Sequence, residues 1–224
     1  VTNPRAGAFW VEADWASVES LEQVKRRGPH SLRTMYRSVT PSDAEILARS
    51  FVNRDGVRPV ARARAYEESF GPKTVEIVVA GRGGAALKQS YRTQLEEYFN
   101  GGEVYKGVLL MNYEATITNY TPRLIGLNVE VTASGNVTRA MVIQVLSYLL
   151  SPTALERDGV SYVWQFGQEV PLSRVGAEIF SISPGNVFKV KFTSPTADIS
   201  LNANELPVFD PITTNVVMLQ PNRN

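Results

Sequence analysis

The stretch "TVEIVVAGRGGAALKQSYRTQLEEYF", residues 74–99, constrains the fold more than any other part of the chain. Its first residues are apolar at alternating positions, which predicts a strand that is at least half buried. Glycines follow, and apolar residues then recur at helical spacing from Leu87 to Tyr98. A strand that leads through glycines into a helix requires a sheet with a helix packed on it, so purely helical and purely β folds are excluded.

Further helices and strands are predicted along the rest of the chain. Thr40, Pro41 and Asp43 form the start signal of a helix: an N-cap, a proline at the first helical position and an acidic residue three after the cap. An amphipathic helix is also predicted at about 17–27. Strands are predicted at 57–66, 74–80, 108–118 and 124–133, and helices at 138–150 and 172–181. In "NVFKVKF", alternation predicts that Phe188, Val190 and Phe192 face the core.

These elements predict an α+β fold with two small layered α/β units whose sheets are mixed or antiparallel. Residues 1–15 are predicted to be an extended arm. Residues 16–118 then form a first α+β domain, and residues 119–224 a second one that ends in an extended tail. The chain begins with valine, so we expect it to be a piece of a longer protein.

Composition excludes several classes of chemistry. The 224 residues include no cysteine and one histidine, His30, so a zinc site or a thiolate nucleophile is excluded. A Ser–His–Asp triad would have to use His30, which follows a proline in a loop. Acidic residues do not cluster as metal ligands, and no apolar run is long enough to span a bilayer. We therefore expect no catalytic residue, no metal, no cofactor and no contact with a membrane, and the chain is predicted not to be an enzyme.

The glycines at 81–84 leave two interpretations open. The pattern Gly81-x-Gly83-x-x-Ala86 formally matches a dinucleotide fingerprint, which would make this loop a phosphate- or dinucleotide-binding module. However, the acidic residue expected about 20 positions later is represented only by Glu103, in a loop. The segment after the helix also reads as β-rich and hairpin-like. We favour the alternative, in which Gly81–Gly84 supply positive φ angles and close packing.

Three arginines could form a basic stripe on one strand face: Arg58, Arg62 and Arg64. A basic stripe can bind phosphate groups of nucleic acid or an acidic protein surface. The alternative is a solvated strand face or a sheet edge that the charges guard. The net charge of +1 and the absence of interleaved aromatic residues favour a sheet edge or protein contact over nucleic acid.

The first fifteen residues carry large aromatic side chains, namely Phe9, Trp10 and Trp15. An irregular segment with such side chains must dock, either on its own core or on a neighbouring chain as an interface anchor. The residues alone leave both possibilities open.

Five stretches follow one another in a fixed order along the chain. They are "ESLEQVKRRGPHSLRT" (19–34), "YRSVTPSDAEILA" (36–48), "DGV" (55–57), "TVEIVVAGRGG" (74–84) and "TADISLNANELPVFDPI" (196–212). This ordered set resembles the baseplate J-like family, the wedge proteins of contractile phage tails and related injection machines. The likeness spans about residues 15–215.

The resemblance implies a structural subunit without an active site, located in the tail baseplate of a virion and assembled in the host cytoplasm. Family members pair with a second copy of themselves and join other wedge, hub and sheath-proximal proteins in a ring around the hub. Neither nucleic acid nor a small-molecule ligand is implied. Under this interpretation the interface residues are the arm aromatics, the three arginines and a tail segment that contains Asp198, Leu201, Glu205 and Phe209.

Overall fold

A computed structural model of the chain describes residues 37–109, 113–159 and 161–221. The helices in these ranges are α1 (Pro41–Ser50), α2 (Gln89–Asn100), α3 (Arg139–Leu149) and α4 (Leu172–Phe180). The strands are β1 (Val60–Glu67), β2 (Thr74–Gly81), β3 (Glu114–Asn119), β4 (Thr121–Ile125), β5 (Asn128–Ala133), β6 (Val187–Ser194), β7 (Glu205–Phe209) and β8 (Asn215–Leu219). The predicted α+β fold class is confirmed. The predicted arm, the helix at 17–27 and His30 lie outside the described residues.

The strands form small sheets, two of which mix parallel and antiparallel pairs. In the first sheet, β2 lies between β1, which is antiparallel to it, and β3, which is parallel. The second sheet is the parallel pair β4 and β7. In the third, β5 lies between antiparallel β6 and parallel β8.

Helix α1 begins as its sequence predicts. The Thr40 hydroxyl accepts the backbone N–H of Asp43 at 3.2 Å, and the Asp43 carboxylate accepts that of Thr40 at 3.0 Å. This reciprocal pair satisfies two of the N–H groups that a helix start leaves unpaired. Leu47 and Phe51 then pack into the first core with β1, β2 and α2.

Strands β2 and β3 are joined by α2 in a βαβ crossover, because β3 returns parallel beside β2. The hairpin-like arrangement expected for the runs 108–118 and 124–133 is wrong, because β3 pairs with β2, β4 with β7, and β5 with β6 and β8. The outer edge of β3 is closed by side chains of α2. Asn100 both donates to the carbonyl of Ala115 and accepts its N–H, and Glu96 accepts the N–H of Ile117. These bonds replace a further strand and protect the edge from unwanted pairing.

A second core lies between the sheet β6-β5-β8 and the helices α3 and α4, with Trp164, Leu146 and Ile179 almost fully buried. Much of the segment predicted as an extended tail contributes strands to the sheets. β7 pairs with β4, and β8 pairs with β5. The two proposed domains meet in a third core, where Val78 and Ala80 pack against Tyr120 and Leu206. The predicted boundary at 118–119 stays a prediction.

The predicted facing of β6 is wrong at one residue. Val190 and Phe192 pack on the second core, but Phe188 is 55% exposed. The pairing with β5 shifts between Lys189, which lies opposite Thr132, and Val187, which lies opposite Ala133. The strand thus carries one extra residue, Phe188, and such a bulge moves a side chain off the face that simple alternation assigns to it.

Candidate functional site: the buried arginine between the two halves

Arg62 lies on β1 and is buried, with 3% of its surface exposed. Its Nη1 donates to the carbonyl oxygen of Pro152, and its Nη2 donates to that of Trp164 at 2.6 Å. Both acceptors belong to the loop between α3 and α4. The guanidinium therefore joins the first sheet to the second half of the chain, and we call this arrangement the Arg62 contact.

Two aromatic rings complete the Arg62 contact. The guanidinium carbon lies 4.1 Å from the ring centroid of Tyr162 and 5.1 Å from that of Phe166. Burial lowers the pKa of Arg62 to about 10, against the weaker opposing effect of Tyr162. The group is still protonated at neutral pH. Cation–π attraction and two carbonyl acceptors offset part of the cost of removing this charge from water.

The loop that receives Arg62 is held by its own hydrogen bonds. The indole Nε1 of Trp164 donates to the carbonyl of Leu149 at 2.7 Å, and the Val163 N–H donates to Ala154. The Arg174 guanidinium lies 4.7 Å from the ring of Trp164. These contacts hold the segment whose carbonyls accept from Arg62.

The glycine turn packs against the same loop. A Cβ on Gly84 would lie 3.0 Å from Cγ of Pro152, and Gly84 has a φ of +76°. The carbonyl of Gly84 accepts the hydroxyl of Tyr120. Burial raises the pKa of that Tyr120 hydroxyl.

Residues 81–85 form a turn that ends before α2 begins. The N–H of Gly81 donates to the carbonyl of Ala85 at 2.8 Å, and α2 begins only at Gln89. The N–H groups at the start of α2 are therefore displaced from the glycines, whereas a phosphate site needs them together. The geometry favours the turn interpretation of the glycines.

The structure separates the three arginines. Arg64 presents a side chain that is 55% exposed and lies 3.5 Å from the Glu45 carboxylate, and Arg58 lies half-buried ahead of β1. The prediction of a single solvent-facing stripe is corrected at Arg62, because the 152–166 loop covers that part of the sheet.

The predicted tail residues support the fold of their own chain. Asp198 is exposed, and its carboxylate accepts the N–H of Leu172 at the start of α4 at 2.8 Å. Leu201 and Phe209 pack partly buried on the second core. Glu205 is buried, and the prediction that it faces a partner is corrected.

The Glu205 carboxylate accepts the backbone N–H of Asn202 at 2.9 Å and its side-chain amide at 3.0 Å. The backbone hydrogen bond is the main cause of the lowered pKa of Glu205. The residue therefore closes a turn at the start of β7. The predicted arm aromatics Phe9, Trp10 and Trp15 lie outside the described residues.

Sequence reasoning missed the aromatic side of the Arg62 contact. Tyr162, Trp164 and Phe166 stand at alternate positions in "SYVWQF", a spacing that could have been recognised.

Within residues 37–109, 113–159 and 161–221, no three histidine or acidic side chains group as metal ligands. Nor does this part of the chain contain a helix that is long and apolar enough to cross a bilayer.

No family model and no curated protein sequence matches the chain. Among solved structures, the fold is similar to that of a chain in the anti-feeding prophage baseplate, determined by cryo-EM with six-fold symmetry. The TM-score is 0.54 and the sequence identity 12%, over 86% of this chain and 42% of the other. The chain thus shares a fold with part of a baseplate protein and spans less than half of that protein's length.

Proposed function

We propose that the chain is a non-enzymatic structural subunit of a baseplate wedge in a contractile tail or contractile injection system. The observation that carries the proposal is the fold that it shares, over 86% of its length, with a chain of the anti-feeding prophage baseplate.

The stretches that resemble the baseplate J-like family give independent support. Two of them, 74–84 and 196–212, lie far apart in sequence but meet in the third core. There Val78 and Ala80 of β2 pack with Leu206 of β7. Because the fold buries these residues against one another, a chain with this fold needs both stretches. This is a physical reason for their joint occurrence.

In this proposal the subunit lies in the tail baseplate and is assembled in the host cytoplasm. It pairs with a second copy and joins other wedge, hub and sheath-proximal proteins in a ring around the hub. It needs no cofactor and binds neither nucleic acid, membrane nor small molecules. The subunit transmits the switch that triggers sheath contraction. Rigid-body rotation is one way in which subunits transmit such a switch, and the Arg62 contact fixes the two halves of this chain to each other.

Sedimentation velocity over a wide concentration range, with and without added nucleotide, tests the proposal. We expect a dimer or larger species that grows with concentration and is indifferent to NAD and ATP. A monomer at all concentrations that responds only to nucleotide would contradict the proposal. It would favour a phosphate- or dinucleotide-binding module at Gly81–Gly84.

A further inference from the structure

Two aromatic rings are exposed at one end of the first sheet. Phe70, in the turn between β1 and β2, is 59% exposed, and Tyr113, directly before β3, is 42% exposed. The N–H of Glu114 donates to the carbonyl of Lys73 at 3.0 Å, so the two segments lie side by side. Exposed aromatic residues on neighbouring segments are typical of contact surfaces.

The turn that carries Phe70 is held rigidly. The hydroxyl of Thr74 accepts the N–H of Phe70 at 3.2 Å and donates to the carbonyl of Gly71 at 2.7 Å. The N–H of Gly71 donates to the carbonyl of Glu68 at 3.2 Å. A side chain on a backbone fixed in this way loses little further freedom on binding a partner.

The same turn contains two residues in an unfavourable conformation. Glu68 has a φ of 58° and Lys73 a φ of 63°, the left-handed region that favours glycine. Conformations of this kind concentrate at functional positions. Neither residue is needed for the burial of the core, since both are exposed.

Acidic residues adjoin both aromatic residues in sequence. Glu67, Glu68 and Glu114 are exposed, and within the described part of the chain none of them forms an ion pair. Lys73 is the nearest basic residue in the turn. These neighbours of the aromatic residues therefore carry three carboxylates and one ammonium group. We call the four charged residues, together with Phe70 and Tyr113, the hairpin-tip surface.

We propose that the hairpin-tip surface docks on another protein subunit of the same particle, with Phe70 in an apolar pocket that is rimmed by lysine or arginine. This inference rests on the proposed function, because it names the chemistry of one baseplate partner. A rigid aromatic side chain in an apolar pocket is the usual centre of an interface. The unpaired carboxylates select a basic rim and speed the encounter.

The experiment compares Phe70→Ser with Ile212→Ser, a control at a site that is 92% exposed and lies outside this surface. Each variant is introduced into the full chain in cells that assemble the particle, and the amount in purified particles is measured. We expect incorporation to fall at least about tenfold for Phe70→Ser. Thermal melting of each purified chain should match the wild type, because Phe70 is largely exposed.

A photo-crosslinking amino acid at position 70 identifies the surface that is contacted. The inference is supported if it crosslinks to a different subunit of the particle, at an apolar segment flanked by basic residues. Crosslinking to a second copy of this chain would overturn it. So would incorporation of Phe70→Ser at the wild-type level, which would leave the proposed function intact.

The salt dependence of binding between this chain and the crosslinked subunit gives a further test. The triple change Glu67→Gln, Glu68→Gln and Glu114→Gln should weaken binding of the crosslinked subunit and flatten its dependence on NaCl. Binding whose salt dependence is unchanged would contradict the basic rim. Absence of the wild-type chain from purified particles would instead overturn the proposed function, and this inference with it.

Discussion

At the scale of single residues, Arg62 shows how a charged side chain can hold a protein together without an opposite charge. Its buried charge is stabilised by two carbonyl oxygens and two aromatic rings. Arg64, two residues further along the same strand, lies largely in water beside Glu45. The two arginines therefore lie in opposite environments, because the 152–166 loop covers Arg62 and leaves Arg64 exposed.

Replacement of Arg62 by alanine should lower the free energy of unfolding by about 2–4 kcal/mol. The change leaves two carbonyls without a donor and opens a gap between the rings of Tyr162 and Phe166. Urea denaturation measures the loss. Arg64→Ala is the matched control and should change stability by no more than about 0.5 kcal/mol, since exposed ion pairs contribute little. Equal losses for the two variants would show that the Arg62 contact is not stabilising.

At the scale of elements, side chains determine how helix ends and strand edges are closed. Asn100 pairs with Ala115 as a neighbouring strand would, and Asp198 supplies an acceptor to the first N–H of α4. In β6, by contrast, one extra residue turns the large apolar side chain of Phe188 toward solvent. Such features depend on partners that are distant in sequence.

The glycine turn between β2 and α2 gives a prediction at this scale. Gly83→Ala should cost about 1 kcal/mol, because its φ of +67° is strained for alanine while no atom lies near the added Cβ. Gly84→Ala has a similar strain, and its Cβ also meets Pro152 at 3.0 Å, so it should cost about 1 kcal/mol more. Thermal unfolding of the pair measures the difference. If both substitutions cost the same, the turn does not pack tightly on the loop.

At the scale of the whole molecule, the two halves share buried surface. Leu206 of β7 is fully buried against β2, and the loop before α4 surrounds Arg62 of β1. A chain connected in this way should unfold as one cooperative unit, although it contains more than one core.

Cooperativity can be measured with Trp164 as a local probe. The chain has three tryptophans, so Trp10→Phe and Trp15→Phe together leave Trp164 alone. In this background, the fluorescence and far-ultraviolet circular dichroism transitions in urea should coincide. Addition of Arg62→Ala should move the fluorescence transition to lower urea than the circular dichroism transition. If the two transitions coincide both with and without Arg62→Ala, the third core alone couples the two halves.

The sequence by itself determined the local elements, because their signals lie within a few residues of one another. The capping box at Thr40, the alternation in β2 and the helical spacing in α2 predicted these elements with errors of a few residues at their ends. The α+β class followed from them. Burial within an element could be predicted only where the pattern was regular, as in β2 but not at Phe188.

Only the tertiary structure decided which partners these elements have. Periodicity places Arg62 on a strand face, but it contains no information on which loop, 90 or more residues away, covers that face. The same holds for the parallel return of β3, for the pairing of β7 and β8, and for the burial of Glu205. The physical reason is that local propensity depends on neighbours in sequence, whereas charge burial and strand pairing depend on contacts that exist only once the chain has folded.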